Sequence, residues 1–166
     1  IGECIDYNNG GYAYIAGTTT AADFPVSGNA YDTDLGGSMD GFAAKISADG
    51  SNLEFATYLG GSDNDGISAI TVDKVLGFPI VVGRTKSGDF PTTAGAYDRV
   101  FNGGSGLKDA FVAQLNSGGN MLMFSTFLGG GDEDLGTDVA IDSVGHIYVT
   151  GNTLSPDFPV TMDGYD

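Results

Sequence analysis

The sequence has few of the residues that bind nucleic acids, cross-link chains or hold soft metals. Only 6 of the 166 residues are Lys or Arg, against 22 Asp and Glu, so the formal net charge is −16. Proteins bind nucleic acids and anionic membranes through clustered positive charge, which this sequence lacks, so neither is expected as a partner. The negative charge instead favours cations as ligands. The single cysteine, Cys4, excludes an internal disulfide framework and a multi-cysteine metal site.

Long apolar runs are absent as well. Without an 18-residue apolar run, we expect no membrane insertion. The chain opens with neither Met nor a signal peptide, and its first residues resemble part of a strand, so we expect a piece of a longer polypeptide. Glycine is abundant instead, with 28 residues alongside 10 Phe and 8 Tyr. This mixture favours many short strands joined by tight turns.

An internal repeat organises the sequence. The tripeptide Asp-Phe-Pro occurs three times, at spacings of 66 and 68 residues, and a glycine precedes each copy by six residues. At this period the chain holds about two and a half units. The three copies are Asp23-Phe24-Pro25, Asp89-Phe90-Pro91 and Asp157-Phe158-Pro159.

Each unit contains four strand-like runs. In the second unit they cover residues 67–73, 78–83, 109–115 and 121–128, and apolar side chains alternate along the fourth run, as a half-buried sheet face requires. Asn-Gly, Asp-Gly and Gly-Gly pairs between runs supply hairpin turns. Matching runs in the other units are 12–17, 40–46, 52–59, 136–142 and 146–151.

Four antiparallel strands per unit, repeated radially, are typical of β-propeller blades. We therefore predict an all-β fold with blade-like repeats at residues 1–66 and 67–135 and a partial repeat at 136–166, the first repeat starting within its first strand. A solenoid of stacked sheets is the alternative. Propellers carry about 4–8 blades, so we expect further blades of the same polypeptide, or other copies, as partners.

The stretch from the fourth run of the second unit to the third tripeptide resembles a known repeat family. From Phe124 to Pro159 the motifs FSTFLGG, DEDLG, VAID, GHIYVTGNT and DFP follow one another in the order found in the bacterial "seven-bladed β-propeller" repeat, SBBP. The same order recurs from Asn52 to Pro91. Pro79 and His146 depart from the family pattern. The resemblance implies a propeller within large secreted or surface-attached bacterial proteins, and it implies no particular reaction.

Two sets of acidic residues are predicted to share one rim of the blades. Alternating Asp with a trailing Gly offers several hard oxygens to one cation, so the loops after each fourth strand predict a metal site with Ca²⁺ as the cofactor. The alternative is that these aspartates only form turns, since neither loop has the full twelve-residue calcium pattern. The predicted ligands are Asp63, Asp65, Asp132 and Asp134. The second set is the aspartate of each tripeptide.

The tripeptides themselves are predicted to be structural. Their Phe is expected to wedge between blades, their Pro to sit at a sheet edge, and their Asp to cap the turn. Tyr31, Tyr97 and Tyr165 follow the tripeptides and either pack against the blades or offer faces for sugar stacking. Asp40 and Asp109, which open the third runs, are expected to accept hydrogen bonds from neighbouring backbone amides.

No residue set points convincingly to catalysis. His146, the only histidine, is expected at a strand start as a solvent-edge or packed residue, and Cys4 occupies a small, buried kind of position. We therefore predict a non-enzymatic extracellular or cell-surface module for adhesion, scaffolding or assembly, stabilised by cations, with surface proteins or polysaccharide as further partners. Two alternatives stay open: a carbohydrate-active enzyme with an acidic rim site, and a structural subunit of an oligomeric ring or filament.

Overall fold

The computed structural model describes residues 1–162 and residue 164, so Tyr165 lies outside the described residues. This part of the chain forms ten strands and no helix, which confirms the all-β prediction. It therefore also contains no helix with the length and hydrophobicity needed to cross a bilayer. The strands are β1 (Gly2–Tyr7), β2 (Ala13–Thr19), β3 (Asp40–Ile46), β4 (Leu53–Leu59), β5 (Asp65–Val72), β6 (Pro79–Thr85), β7 (Asp109–Leu115), β8 (Leu122–Leu128), β9 (Asp134–Ile141) and β10 (Ile147–Thr153).

The strands form two complete blades and a third, two-stranded sheet. The first blade has the order β1-β2-β3-β4, the second blade β5-β6-β7-β8, and the third sheet pairs β9 with β10, all antiparallel. The first strands are neighbours across the blades, with β1 beside β5 and β5 beside β9. This side-by-side arrangement is that of propeller blades, and within the described residues it does not close into a ring.

β5 and β9 each begin two residues earlier than predicted, and every first strand contains an irregularity in its pairing. β5 starts at Asp65 and β9 at Asp134, so the predicted repeat limits fall within these strands. In β5 the register shifts between Ile67 and Ala69. A Cβ on the facing Gly83 would lie 2.0 Å from the carbonyl oxygen of Gly66, so only glycine fits opposite this bulge. The same close approach occurs at Gly17 and Gly151, which explains why this glycine recurs.

Apolar side chains fill the spaces between the sheets. One core cluster joins the first and second blades and includes Tyr14, Phe55, Leu59, Ile67 and Phe111. A second cluster lies between the second blade and the third sheet. Both clusters hold the sheets face to face, and the loops at the ends of the strands complete the contacts between neighbouring blades.

Candidate functional site

The loops after the fourth strands form a repeated junction with the next sheet. We call residues 60–65 with residues 86–91 and the neighbouring Asp40 the first junction, and residues 129–134 with residues 154–159 and the neighbouring Asp109 the second junction. In the first junction, the buried Asp65 accepts hydrogen bonds through Oδ2 from the Gly61 N–H at 2.6 Å and from the Ser87 hydroxyl at 2.8 Å. Asp134 makes the matching bonds with Gly130 and Ser155 in the second junction, at 2.7 and 2.8 Å.

A serine connects the two loops of each junction. The Ser87 hydroxyl donates to Asp65 and accepts the backbone N–H of Asp63 at 2.9 Å. Ser155 repeats both bonds with Asp134 and with the N–H of Asp132. These serines were not predicted from the sequence, although each lies two residues before its tripeptide, a position that Ala21 takes in the first unit.

The tripeptide aspartates complete the same junctions. Asp89 Oδ1 accepts the backbone N–H of Ser62 at 2.9 Å and its hydroxyl at 3.0 Å, and these hydrogen bonds lower the pKa of Asp89. Asp157 Oδ1 accepts the N–H of Gly131 at 2.9 Å. Asp89 and Asp157 therefore bond to the acidic loops at one rim, whereas Asp23 in the first unit precedes any such loop in the described residues.

The four predicted metal ligands are not placed alike. Asp65 and Asp134 are buried at the starts of their strands, whereas Asp63 and Asp132 are exposed to solvent and approach the junctions through backbone groups. In the described residues, no group of three or more His, Cys, Asp and Glu side chains is arranged to hold a metal ion. The loop aspartates therefore lie near one another without converging on one point.

A second carboxylate lies beside each buried loop aspartate. Asp40 accepts hydrogen bonds from the Gly36 and Gly37 amides, and Asp109 accepts one from the Asn102 amide, which confirms the role expected for both. A Cβ on Gly60 would lie 2.8 Å from Asp40 Oδ1 and 2.9 Å from Asp65 Oδ2. Gly129 holds the equivalent place between Asp109 and Asp134, so glycine is required where two carboxylates approach.

Burial governs the charge of these carboxylates. It raises the pKa of Asp40 and of Asp65 above the ordinary range of aspartate, and the neighbouring Asp65 charge adds to the effect on Asp40. Burial, together with the Asp134 charge, raises the pKa of Asp109 to about 6. The rim thus contains pairs of carboxylates that water does not stabilise.

The aromatic residues of the repeats pack within the fold. Phe24 lies 4.7 Å from Phe42, and Phe90 lies 4.3 Å from Phe111, measured between ring centroids. These neighbours belong to the same blade as the tripeptide phenylalanine, and Phe90 is also part of the cluster between the first and second blades. Tyr31 packs against that cluster, whereas Tyr97 is 71% exposed.

The remaining single residues have ordinary environments. His146 is exposed, as expected, and its Nδ1 lies 2.9 Å from Asp142 Oδ2 in the turn before β10. Cys4 is partly buried, and burial raises the pKa of its thiol to about 11, so it is a poor nucleophile at neutral pH.

Antiparallel sheets set side by side, two of them four-stranded, and joined by recurring loop junctions have the arrangement of β-propeller blades. Residues 123–159 match the family model SBBP, whose description is beta-propeller repeat. This match confirms the resemblance for one segment of the chain. The segment starts at the second residue of β8 and includes β9, β10 and the third tripeptide. No curated protein matches the chain.

Proposed function

We propose that the chain is a non-enzymatic β-propeller repeat module of a bacterial protein, located outside the cell or on its surface and used for adhesion, scaffolding or assembly. The observation that supports this proposal is the repeated junction. Ser87 and Ser155 each bind a buried aspartate and a loop amide, so these recurring polar groups fix the loop between two units to the sheet that follows it. A rigid array of blades is the product of such bonding.

The edge of the third sheet supports assembly with further blades. β10 is paired on one side only within the described residues, and Tyr148 and Thr150 on this strand are exposed. An edge strand presents free backbone N–H and C=O groups that pair readily with another strand. Further blades of the same polypeptide, or of other copies, are therefore the partners we propose first, with surface proteins and polysaccharides second.

Cations are the ligands that the charge favours. With a net charge of −16 and carboxylates concentrated on one rim, binding of Ca²⁺ or a similar ion would reduce repulsion between the loops. Cation stabilisation is therefore part of the proposed function.

The test combines binding, turnover and mass. The chain is immobilised on beads and exposed to intact bacterial cells and to neutral and acidic polysaccharides, while light scattering follows its mass above 17.0 kDa. We expect retention of cells or polysaccharide, or formation of larger particles, with no release of reducing sugar. Sugar release that is lost in Asp132→Asn, and retained in Asp49→Asn on the opposite rim, would replace this proposal with the carbohydrate-active enzyme. A strictly monomeric chain that retains nothing contradicts the module.

A further inference from the structure

Two buried carboxylates meet at the second junction. Asp109 is the first residue of β7 and Asp134 the first of β9, and both side chains are 0% exposed. The two carboxylates lie on either side of Gly129, because a Cβ there would lie 2.7 Å from Asp134 Oδ2 and 3.2 Å from Asp109 Oδ1. The backbone also ties them together, since the Asp134 N–H donates to the Lys108 carbonyl at 2.8 Å.

Each of these carboxylates has one bonded and one unbonded oxygen. Oδ2 of Asp109 accepts a hydrogen bond from the backbone N–H of Asn102. Oδ2 of Asp134 accepts hydrogen bonds from the Gly130 N–H and the Ser155 hydroxyl. Within the described residues, neither Oδ1 atom has a hydrogen-bond partner, although both are buried. A buried carboxylate oxygen without a partner is costly, so an unpartnered oxygen on each of two neighbouring carboxylates indicates a positively charged ligand.

The first junction differs in this respect. Both oxygens of Asp40 accept glycine amides. Asp65 Oδ1 accepts the Lys86 N–H at 3.3 Å, and its Oδ2 accepts Gly61 and Ser87. The two junctions share the same pair of aspartates and the same glycine between them, yet free acceptor oxygens occur only in the second.

The second junction also has space beside Asp134, and the lysine next to Asp109 has another partner. Asp134 lines a cavity of about 210 Å³ between the second blade and the third sheet, together with Gly136, Thr150 and Phe158. Water occupies about 30 Å³ per molecule, so several water molecules fit. The nearby Lys108 is already bonded to Glu133, 2.6 Å from Nζ to Oε1.

We propose that Asp109 and Asp134 bind one hard divalent cation, Ca²⁺ or Mg²⁺, through their Oδ1 atoms, with water from the cavity completing the coordination. Such ions take carboxylate oxygen and water, and Mg²⁺ commonly uses one or two carboxylates only. The site replaces the predicted partner Asp132, which is exposed, with Asp109 from a different strand. The proposal rests on the cation-stabilisation part of the proposed function and leaves the role as an assembly module independent.

The test measures bound ions and thermal stability in the metal-free chain. The chain is treated with EDTA, desalted into buffer at pH 7.5 with 0.15 M KCl, and dialysed against Ca²⁺ or Mg²⁺. We expect one bound ion per chain and a rise in melting temperature with the preferred ion. Asp109→Asn should weaken binding at least tenfold and remove the rise, whereas the matched variant Asp40→Asn should keep both.

Several outcomes overturn the site. The site is contradicted if the wild-type chain binds no ion, if Asp109→Asn and Asp40→Asn lose ion binding equally, or if Asp109→Asn binds the ion as the wild type does. Circular dichroism first checks folding, and if Asp109→Asn does not fold, Asp134→Asn takes its place while the wild-type ion count decides whether the site exists. A chain that binds no ion yet still assembles contradicts this site and leaves the module proposal standing. A chain that binds the ion yet hydrolyses polysaccharide supports this site and contradicts the non-enzymatic module.

Discussion

At the scale of single residues, a serine hydroxyl fixes the loop between two sheets to the second of them. Ser87 is fully buried and has both a donor and an acceptor role, so removing its oxygen leaves the Asp63 N–H without a partner and Asp65 with one bond fewer. The first unit carries Ala21 at this position. The Ala21 N–H donates to the Thr19 hydroxyl, just as the Ser87 N–H donates to the Thr85 hydroxyl. The backbone of the turn therefore tolerates alanine.

We therefore expect Ser87→Ala to lower the free energy of unfolding by about 1–3 kcal/mol, the cost of unpaired buried polar groups. Urea unfolding monitored by circular dichroism measures the change. Ser143→Ala, in an exposed turn, is the matched control and should alter stability by less than about 0.5 kcal/mol. Equal effects of the two substitutions would show that the serine does not hold the junction.

The Asp109 carboxyl should make stability depend on pH when cations are removed. Its pKa in the folded protein, about 6, is above the ordinary value, so folding favours the protonated form. The stabilisation is complete in acid, below the pKa of the unfolded chain, and is lost as pH rises through about 6. In EDTA we expect the free energy of unfolding to fall by about 1–2 kcal/mol between about pH 5 and pH 7. Asp109→Asn should reduce this slope without abolishing it, because burial also raises the pKa values of Asp40 and Asp65, and an unchanged slope would contradict the assignment.

At the scale of strands, sequence periodicity predicted most of the fold. The third strands, β3 and β7, begin and end at the predicted residues, because both start with the Asp that accepts loop amides and continue as a buried run. β5 and β9 start earlier than predicted, because their first residues, Asp65 and Asp134, are polar. An aspartate in a Gly-rich loop indicates a turn, and only the tertiary bonds to serine place it in a strand.

The site was less predictable for the same reason. Alternation of Asp63 and Asp65 does not reveal which side chain is buried, and the sequence interval between Asp109 and Asp134 hides their contact. The sequence does contain one signal of the site, the recurrence of its residues. Asp40 and Asp109 are separated by the same interval as Gly60 and Gly129, and in the structure each glycine lies between two carboxylates. Whether an oxygen is left without a partner depends on amide positions, which no pattern of residue types specifies.

The bulge at each first strand makes one glycine essential. A Cβ at Gly83 would lie 2.0 Å from the Gly66 oxygen, which no side-chain rotation can relieve. We expect Gly83→Ala to destabilise the chain by more than about 2 kcal/mol, measured as a fall in the urea midpoint. Gly88→Ala, with nothing within 4 Å of its Cβ, is the control and should be close to neutral. A tolerated Gly83→Ala would mean that the bulge relaxes easily.

At the scale of the whole molecule, the blades are joined at both rims. The serine junctions occupy one rim. At the other, Asp6 accepts the Val72 amide at 2.9 Å and pairs with Lys74 at 2.5 Å, and the Tyr14 hydroxyl donates to the Gly77 carbonyl at 3.1 Å. The first two blades are therefore fixed to each other at their ends and through their core, whereas in the part of the chain that the structure describes β10 pairs with β9 alone.

This difference predicts the order in which the molecule opens. Two-stranded sheets are marginal on their own, and β10 is mostly exposed whereas β6 is buried at the centre of its blade. Hydrogen exchange should therefore reach the β10 amides at least a hundredfold faster than those of β6. The measurement should be made at two chain concentrations, because pairing between copies would cover the β10 edge. Slow exchange that becomes fast on dilution would support assembly through this edge. Slow exchange at every concentration would contradict the predicted order.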